Sequence, residues 1–389
     1  MWQKTQITMT EQTKVQQDAL QPQCPNCGAN LTYDPTTGKL LCDHCNSTVG
    51  VEQDFFVEER SFEELRHLPT WKSNSICTYR CQNCGAVTTV DKATLATTCP
   101  FCNSPVVMEE NLPSILQPNV VVPFELSQKD ASAVLAKWRK GKLYAPRNFR
   151  KSTKEQNVKG VFVPCWTFDA VTSSPYSGKV GQRRTRTVRR NGKTYTQTYI
   201  HWYHVSGVMD MSFDDMMIQG NNHVPQNYFN QMGPFPQNKY VVYDQKFLAG
   251  FVAEHYSLQP LDAYGKAVTT MKTTIKNAIM RRHNADVEGS LQVNFKVLDK
   301  SFKYLMLPVY VANTKYRNKL YSQYVSGIFT NKEKMQAKVC GKSPVSPWKV
   351  LLTVVGIAVA VFAGLWLFND GVFDGQLNLL EQIAKGILR

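Results

Sequence analysis

The sequence predicts an α+β protein: two small β zinc ribbons, a larger mixed α+β domain and one C-terminal transmembrane helix. Three observations predict it. A four-cysteine pattern is written twice, an Asn-Gly turn joins two alternating strands, and an uncharged apolar run lies near the end of the chain.

Cys24-Pro25-Asn26-Cys27-Gly28 is followed after fourteen residues by Cys42-Asp43-His44-Cys45. Cys81-Gln82-Asn83-Cys84-Gly85 is followed, again after fourteen, by Cys99-Pro100-Phe101-Cys102. All four cysteines recur at an offset of 57, together with Asn26/Asn83, Gly28/Gly85, Ala29/Ala86, Asn46/Asn103 and Ser47/Ser104. An offset held over so many positions marks an internal duplication. Each Cys-x-x-Cys aims two thiolates at one point, and the glycine after it supplies the positive φ of a tight knuckle. Two knuckles joined by a short hairpin complete a tetrahedral site for zinc, or for iron in the same cage. A redox pair or a disulfide framework does not predict matched knuckles with equal spacers. Four thiolates leave no open coordination position, so the two expected zinc ions are structural. The metal ligands are Cys24, Cys27, Cys42 and Cys45 in one ribbon, and Cys81, Cys84, Cys99 and Cys102 in the other.

These ribbons occupy residues 21–50 and 77–107, after a polar leader over 1–20 that reads as disordered. Eight of the eleven cysteines lie in them, which calls for a reducing compartment. Cys77 precedes Cys81 by four and reads as an ordinary thiol. The connector over 51–76 carries Phe55, Phe56, Phe62 and Leu65 among acids, and predicts a strand and a short helix packing the ribbons together.

The α+β domain spans residues 108–335. Ser127 is a plausible N-cap for a helix with Ala131, Val134, Leu135 and Trp138 on one face. Residues 158–171 read as a strand, edge or bulged because of Pro164. The Asn191-Gly192 pair predicts a type I′ hairpin over about 180–205. Counting from that turn pairs Val188 with Tyr195, Arg186 with Gln197 and Arg184 with Tyr199 on one face. Arg183, Thr185, Thr187 and Arg189 face Ile200, Thr198, Thr196 and Thr194 on the other. Two readings stay open for this hairpin, and on one of them Arg183, Arg184, Arg186, Arg189 and Arg190 make an anion-binding ribbon, for nucleic acid or lipid headgroups. The alternative is a solvated hairpin whose arginine stems cover tyrosine rings. Asp210, Asp214 and Asp215 lack metal-loop spacing and read as solvated acids. Residues 261–283 predict a basic amphipathic helix, with strands over 292–299 and 305–311. Val163-Pro164-Cys165-Trp166 resembles Leu307-Pro308-Val309-Tyr310. Each follows a helix and precedes a Tyr-Ser pair (Tyr176-Ser177, Tyr321-Ser322), which suggests two related halves sharing one core.

Residues 336–349 read as a basic juxtamembrane linker and residues 350–368 as a transmembrane helix, being uncharged with Trp348 and Trp366 near the ends. The preceding lysines (Lys332, Lys334, Lys338, Lys342, Lys349) place the bulk in the cytoplasm of a single-pass cell-membrane protein. An amphipathic tail, residues 369–389, then lies outside. The net charge of +15 favours acidic partners without choosing among nucleic acid, lipid and protein. Enzyme signatures fail. Gly192-Lys193-Thr194 and Gly341-Lys342-Ser343 lack the glycine five residues earlier that a phosphate-binding loop needs, and no nucleophile elbow or dinucleotide fingerprint is present.

The ribbon motifs, with Val163-Pro164-Cys165-Trp166-Thr167-Phe168-Asp169, Leu248-Ala249-Gly250-Phe251 with Glu254, and Leu307-Pro308-Val309-Tyr310, resemble a bacterial family of membrane-anchored TFIIB-type zinc-ribbon proteins. Its members are often mislabelled as relatives of a primosomal helicase. The resemblance covers about residues 21–350, with Cys165 where the family has phenylalanine. It implies a non-enzymatic single-pass membrane adaptor that recruits flotillin-like and phage-shock-protein-A-like partners to the bilayer. The alternative expectation is a membrane-tethered nucleic-acid-binding protein.

Overall fold

A computed structural model describes residues 22–66, 76–91, 98–104, 106–109, 116–151 and 158–368. The expected leader and tail, and the Cys77 side chain, lie outside the described residues. The architecture is mixed α+β. A three-stranded antiparallel sheet comprises β1 (Leu31–Asp34), β2 (Lys39–Cys42) and β3 (Thr48–Gly50). A second sheet of fourteen strands takes everything else. Its N-terminal members are β4 (Arg60–Ser61), β5 (Ile76–Arg80), β6 (Val87–Asp91), β7 (Val107–Glu109) and β8 (Val120–Val121). Then come the long hairpin β9 (Val158–Arg190) and β10 (Lys193–Gln219), and the short β11 (Val241–Val242), β12 (Val252–Glu254), β13 (Val287–Glu288) and β14 (Gln292–Val293). A second hairpin, β15 (Lys296–Tyr316) and β16 (Lys319–Ser326), and β17 (Val339–Gly341) complete it. The helices are α1 (Gln128–Lys140), α2 (Arg147–Arg150), α3 (Gln226–Met232), α4 (Pro260–Arg282) and α5 (Pro347–Phe368).

The centre is the antiparallel pair β9–β15, in which Val163 lies directly opposite Leu307. Both faces of the pair are buried, so its strands read as continuous apolar runs rather than alternating ones. Phe162, Trp166, Phe168, Phe302, Tyr304, Met306 and Tyr310 join the core that α1 and α4 cover through Ala131, Leu135, Ala263, Ala267 and Met271. Val161, Val163, Cys165, Leu305, Leu307 and Val309 form the opposite core with Phe229 and Met232 of α3. Helix α1 begins as expected, with Ser127 and Asp130 in a reciprocal capping box. Its third buried position is Arg139, whose guanidinium reaches Thr314 Oγ1 at 2.7 Å and the Gln323 side chain.

The faint repeat has a geometric counterpart. Because repeat-equivalent residues Val163 and Leu307 face each other, a local two-fold relates the halves. Val252 of β12 runs parallel beside Val161, and Val120 of β8 runs parallel beside Leu305. Each half is thus a short strand, a helix (α1 or α4), a long strand and a returning strand, with each short strand paired to the other half. The Tyr-Ser pairs do not correspond. Tyr176 lies on the outgoing strand β9, and Tyr321 on the returning strand β16.

Pro164 is not at an edge or in a bulge. Its carbonyl accepts from Gly220 N–H at 2.9 Å, so its missing N–H points the same way, towards β10. Pairing with β12 ends at Phe162 and pairing with β10 starts at Cys165, so no ladder bond is lost there. Pro308 repeats the device with Gly327 N–H, also at 2.9 Å.

Three further expectations are corrected. The connector leaves Phe55 and Phe56 exposed. Phe62, in a short 3₁₀ turn, inserts among Phe168, Tyr264 and Phe302, so the described part of the connector docks on the main core. Residues 336–349 are not a free linker, because β17 pairs with β16 from Gln323↔Gly341 to Val325↔Val339.

The expected membrane-spanning helix is also corrected. Helix α5 does run over Pro347–Phe368, yet among the described residues no helix is long and apolar enough to cross a membrane. Lys349, expected as a cytoplasmic flank, instead donates to the carbonyls of Leu143 and Ala145 at 3.0 and 2.7 Å, tying the helix start to the globular body. The single-pass cell-membrane localisation and its inside-outside orientation fall with the span.

Candidate metal centres

In each ribbon the chain makes the same two turns. The first knuckle closes with Gly28 N–H on Cys24 O and Gly85 N–H on Cys81 O, both 2.8 Å, at φ 72° and 75°. The second closes with Asn46 N–H on Cys42 O and Asn103 N–H on Cys99 O, both 2.9 Å. Asn46 and Asn103 adopt φ 57° and 62°, the left-handed region that asparagine tolerates best after glycine. The recurring asparagines of the duplication are therefore the second pair of knuckle residues.

The result is two clusters, Cys24–Cys27–Cys42–Cys45 and Cys81–Cys84–Cys99–Cys102, with each set of four sulfurs within 4.8 Å of one another. The nearest sulfur pairs are 3.4–3.5 Å apart. A tetrahedral cage with metal–sulfur bonds of ~2.3 Å needs sulfurs about 3.8 Å apart, so the donor set fits a metal ion. Each cluster could hold one. Ser47 Oγ lies 2.8 Å from Cys45 Sγ, and its hydroxyl and backbone N–H lower that thiol to about 6. Burial works against Cys102, but the Ser104 hydroxyl and backbone N–H bring it to about 6 as well. The duplicated serines thus stabilise one thiolate in each cage.

The two ribbons sit on opposite faces of the central pair. Cys24, Leu31, Tyr33, Leu40 and Cys42 extend the helix-side core, while Cys81, Ala86, Cys99 and Phe101 extend the other. One segment, residues 244–255, reaches both. On the first ribbon Tyr33 N–H donates to Ala249 O at 3.0 Å, and the Tyr33 ring meets Phe247 edge-on at 5.5 Å. Gly250, at φ 86°, approaches Thr32 so closely that a Cβ there would lie 3.3 Å from its side chain. A few residues on, Ala253 and Glu254 pair with Thr89 and Thr88 of β6, and His255 N–H donates to Val87 O at 3.0 Å. The Leu248-Ala249-Gly250-Phe251 motif with Glu254 is thus the strap between the two cages.

Glu254 is fully buried, and its Oε1 lies 2.5 Å from His223 Nδ1. His223 Nε2 is 3.1 Å from the carbonyl of Cys84, and its ring stacks on Phe101 at 5.2 Å. Burial by itself depresses the His223 ring, but the adjacent carboxylate outweighs it and holds the ring above its ordinary value. Burial raises Glu254. Sequence reasoning missed His223, because nothing in its flanking residues marks it; only the fold brings it to the cage.

Asp210, Asp214 and Asp215 do not behave alike. Asp215 sits at φ 46° in the bulge of β10 between Phe213 and Met216, and it is nearly buried. It converges with Asp169, and with Glu59 of the connector, on Lys303 Nζ at 2.9, 3.1 and 2.8 Å. The reading of Asp215 as solvated is therefore corrected. Asp169, Asp214 and Asp215 present oxygens within 4.8 Å of one another, but Lys303 already pairs with two of them, Asp169 and Asp215. Burial raises Asp169 to about 6.

The hairpin register is as counted, from Tyr195↔Val188 through Ile200↔Arg183, about a turn with Asn191 at φ 52° and Gly192 at φ 74°. Arg184, Arg186 and Arg190 share one face; Arg183 and Arg189 share the other. The structure does not gather the five arginines into one pocket.

No protein-family model matches this chain, and no solved structure matches it. A Bacillus subtilis protein, YdjG, described as uncharacterized, is 26% identical over 358 residues, covering 89% of this chain and 96% of YdjG.

Proposed function

We propose that this protein is a non-enzymatic docking platform in which two four-cysteine cages hold structural zinc. The observation that carries the reading is the strap over residues 244–255. It fixes both cages to one sheet, so each knuckle is a rigid surface feature. Four thiolates per ion leave no coordination position for a substrate, which favours binding over catalysis. Beside the first ribbon, Phe55 and Phe56 are 60% and 76% exposed and held by an Asx turn in which Asp54 Oδ1 accepts from Phe56 N–H at 2.9 Å. Paired exposed aromatics on a fixed turn are the residue type that anchors protein interfaces.

The resemblance of the motifs supports flotillin-like and phage-shock-protein-A-like proteins as the partners. The test is co-purification of the tagged full-length chain with each of these proteins. Binding that Phe55→Ser with Phe56→Ser weakens at least tenfold supports the reading. Absence of both partners from the purified wild-type protein overturns it.

A further inference from the structure

The distal half of the β9–β10 hairpin lies outside both cores. From Gln182 to Arg190, and back from Lys193 to Ile200, side chains on both faces are exposed or half-buried. It is an arm two strands wide, reaching roughly 30 Å beyond the body. An isolated two-stranded ribbon is marginal by itself. This one is held by its type I′ turn and by its base, where Val180 and Gly181 pair with β13 and Arg183 N–H donates to Asp286 Oδ2 at 3.0 Å. A free-standing ribbon of this length gains nothing for the core.

Its two faces differ. One carries Arg184, Arg186 and Arg190 on β9 against Lys193, Tyr195 and Tyr199 on β10. The Arg186 guanidinium lies over the Tyr199 ring, 5.6 Å from its centre, and donates to Gln197 Oε1 at 3.0 Å. Arg184 donates to Gln182 Oε1 at 3.1 and 3.2 Å. Tyr195 and Tyr199 are 51% and 38% exposed. No acidic residue occurs between Lys179 and Met209, and among the described residues none of these guanidinium groups is in an ion pair. The fixed cations are uncompensated and interleaved with ring faces.

We propose that this face of the arm binds single-stranded nucleic acid, with Arg184, Arg186, Arg190 and Lys193 on phosphates and Tyr195 and Tyr199 stacking on unpaired bases. Cations set among exposed rings are what such ligands require, since every base offers a π-face and every linkage a charge. A membrane surface fits less well, because the tip (Arg189-Arg190-Asn191-Gly192-Lys193-Thr194) carries no apolar side chain to enter the interface. The surface is separate from the ribbons and from Phe55 and Phe56, so the docking reading stands or falls without it.

The test is fluorescence anisotropy of the metal-loaded full chain with labelled fifteen-mers of thymidine and of uridine, a duplex of the same length, and vesicles of equal phosphatidylglycerol and phosphatidylcholine. Four phosphate contacts predict a roughly 50-fold loss of single-strand affinity between 50 and 200 mM salt. Arg184→Gln with Arg186→Gln reduces that loss to roughly 7-fold. Tyr195→Ala with Tyr199→Ala weakens binding at least tenfold and leaves the salt dependence unchanged. All four side chains are exposed, so unchanged melting temperatures confirm that the variants fold. No oligonucleotide binding at 50 mM salt, duplex bound more tightly than single strand, vesicle binding in place of oligonucleotide binding, or variants that bind like the wild type would each overturn the proposal.

Discussion

His223 and Glu254 lie thirty-one residues apart in sequence and 2.5 Å apart in space, and together they join the second cysteine cage to the sheet. The carboxylate is fully buried and the ring spans from it to the carbonyl of Cys84. Removing one partner strands the other in a low-dielectric site, a loss of ~3 kcal/mol. Glu254→Ala is therefore expected to lower the unfolding free energy by that amount. It should also speed transfer of one of two metal equivalents to a chromophoric chelator. Equal release rates from wild type and variant would remove the His223 link from the account.

The cages are separate ligand sets on opposite faces. Cys27→Ser and Cys84→Ser should each reduce bound metal from two equivalents to one, and the double variant to none, by elemental analysis of the purified protein. Zinc should be the metal found. Chelation should also loosen each ribbon without melting the central sheet, whose cores are closed by α1, α3 and α4.

Burial holds His255 at about 4, below the ordinary 6.5. The fold thus disfavours the imidazolium. The stability linked to this ring is complete above pH 6.5 and lost as pH falls towards 4, about 3 kcal/mol for a shift of that size. His255→Gln should flatten the acid limb of the melting temperature between pH 7 and 4.5. Asp169, raised to about 6, acts in the opposite sense over the same window, so the comparison between variant and wild type isolates the histidine.

Gly327 and Gly220 close the returning strands onto the two prolines. A Cβ at Gly327 would lie 2.5 Å from Pro308 Cβ and 2.7 Å from Phe124, whereas one at Gly220 would lie 3.0 Å from Pro164. Gly327→Ala should cost ~2 kcal/mol by overpacking, and Gly220→Ala less, measured by urea denaturation.

Local chemistry was legible in the chain. Cysteine spacing specified both ligand sets, Asn191-Gly192 specified the hairpin and its register, and Ser127 and the apolar period specified α1, because each depends on residues close in sequence. Where partners are remote, the chain was silent or misleading. Pro164 signalled an edge, since the gap between β12 and β10 that excuses it is made by distant segments. Asp215 looked solvated because Lys303 reaches it only through the sheet. The apolar run over residues 350–368 and its lysines suggested a bilayer flank, while Lys349 is bonded to the turn after α1. The four-cysteine motifs thus determined, by themselves, that two four-cysteine clusters able to hold a metal exist. That the cages sit on opposite faces of one two-fold-related sheet, joined by residues 244–255, was decided by burial on both sides of β9–β15. Burial of that kind pairs residues by surface and not by sequence distance.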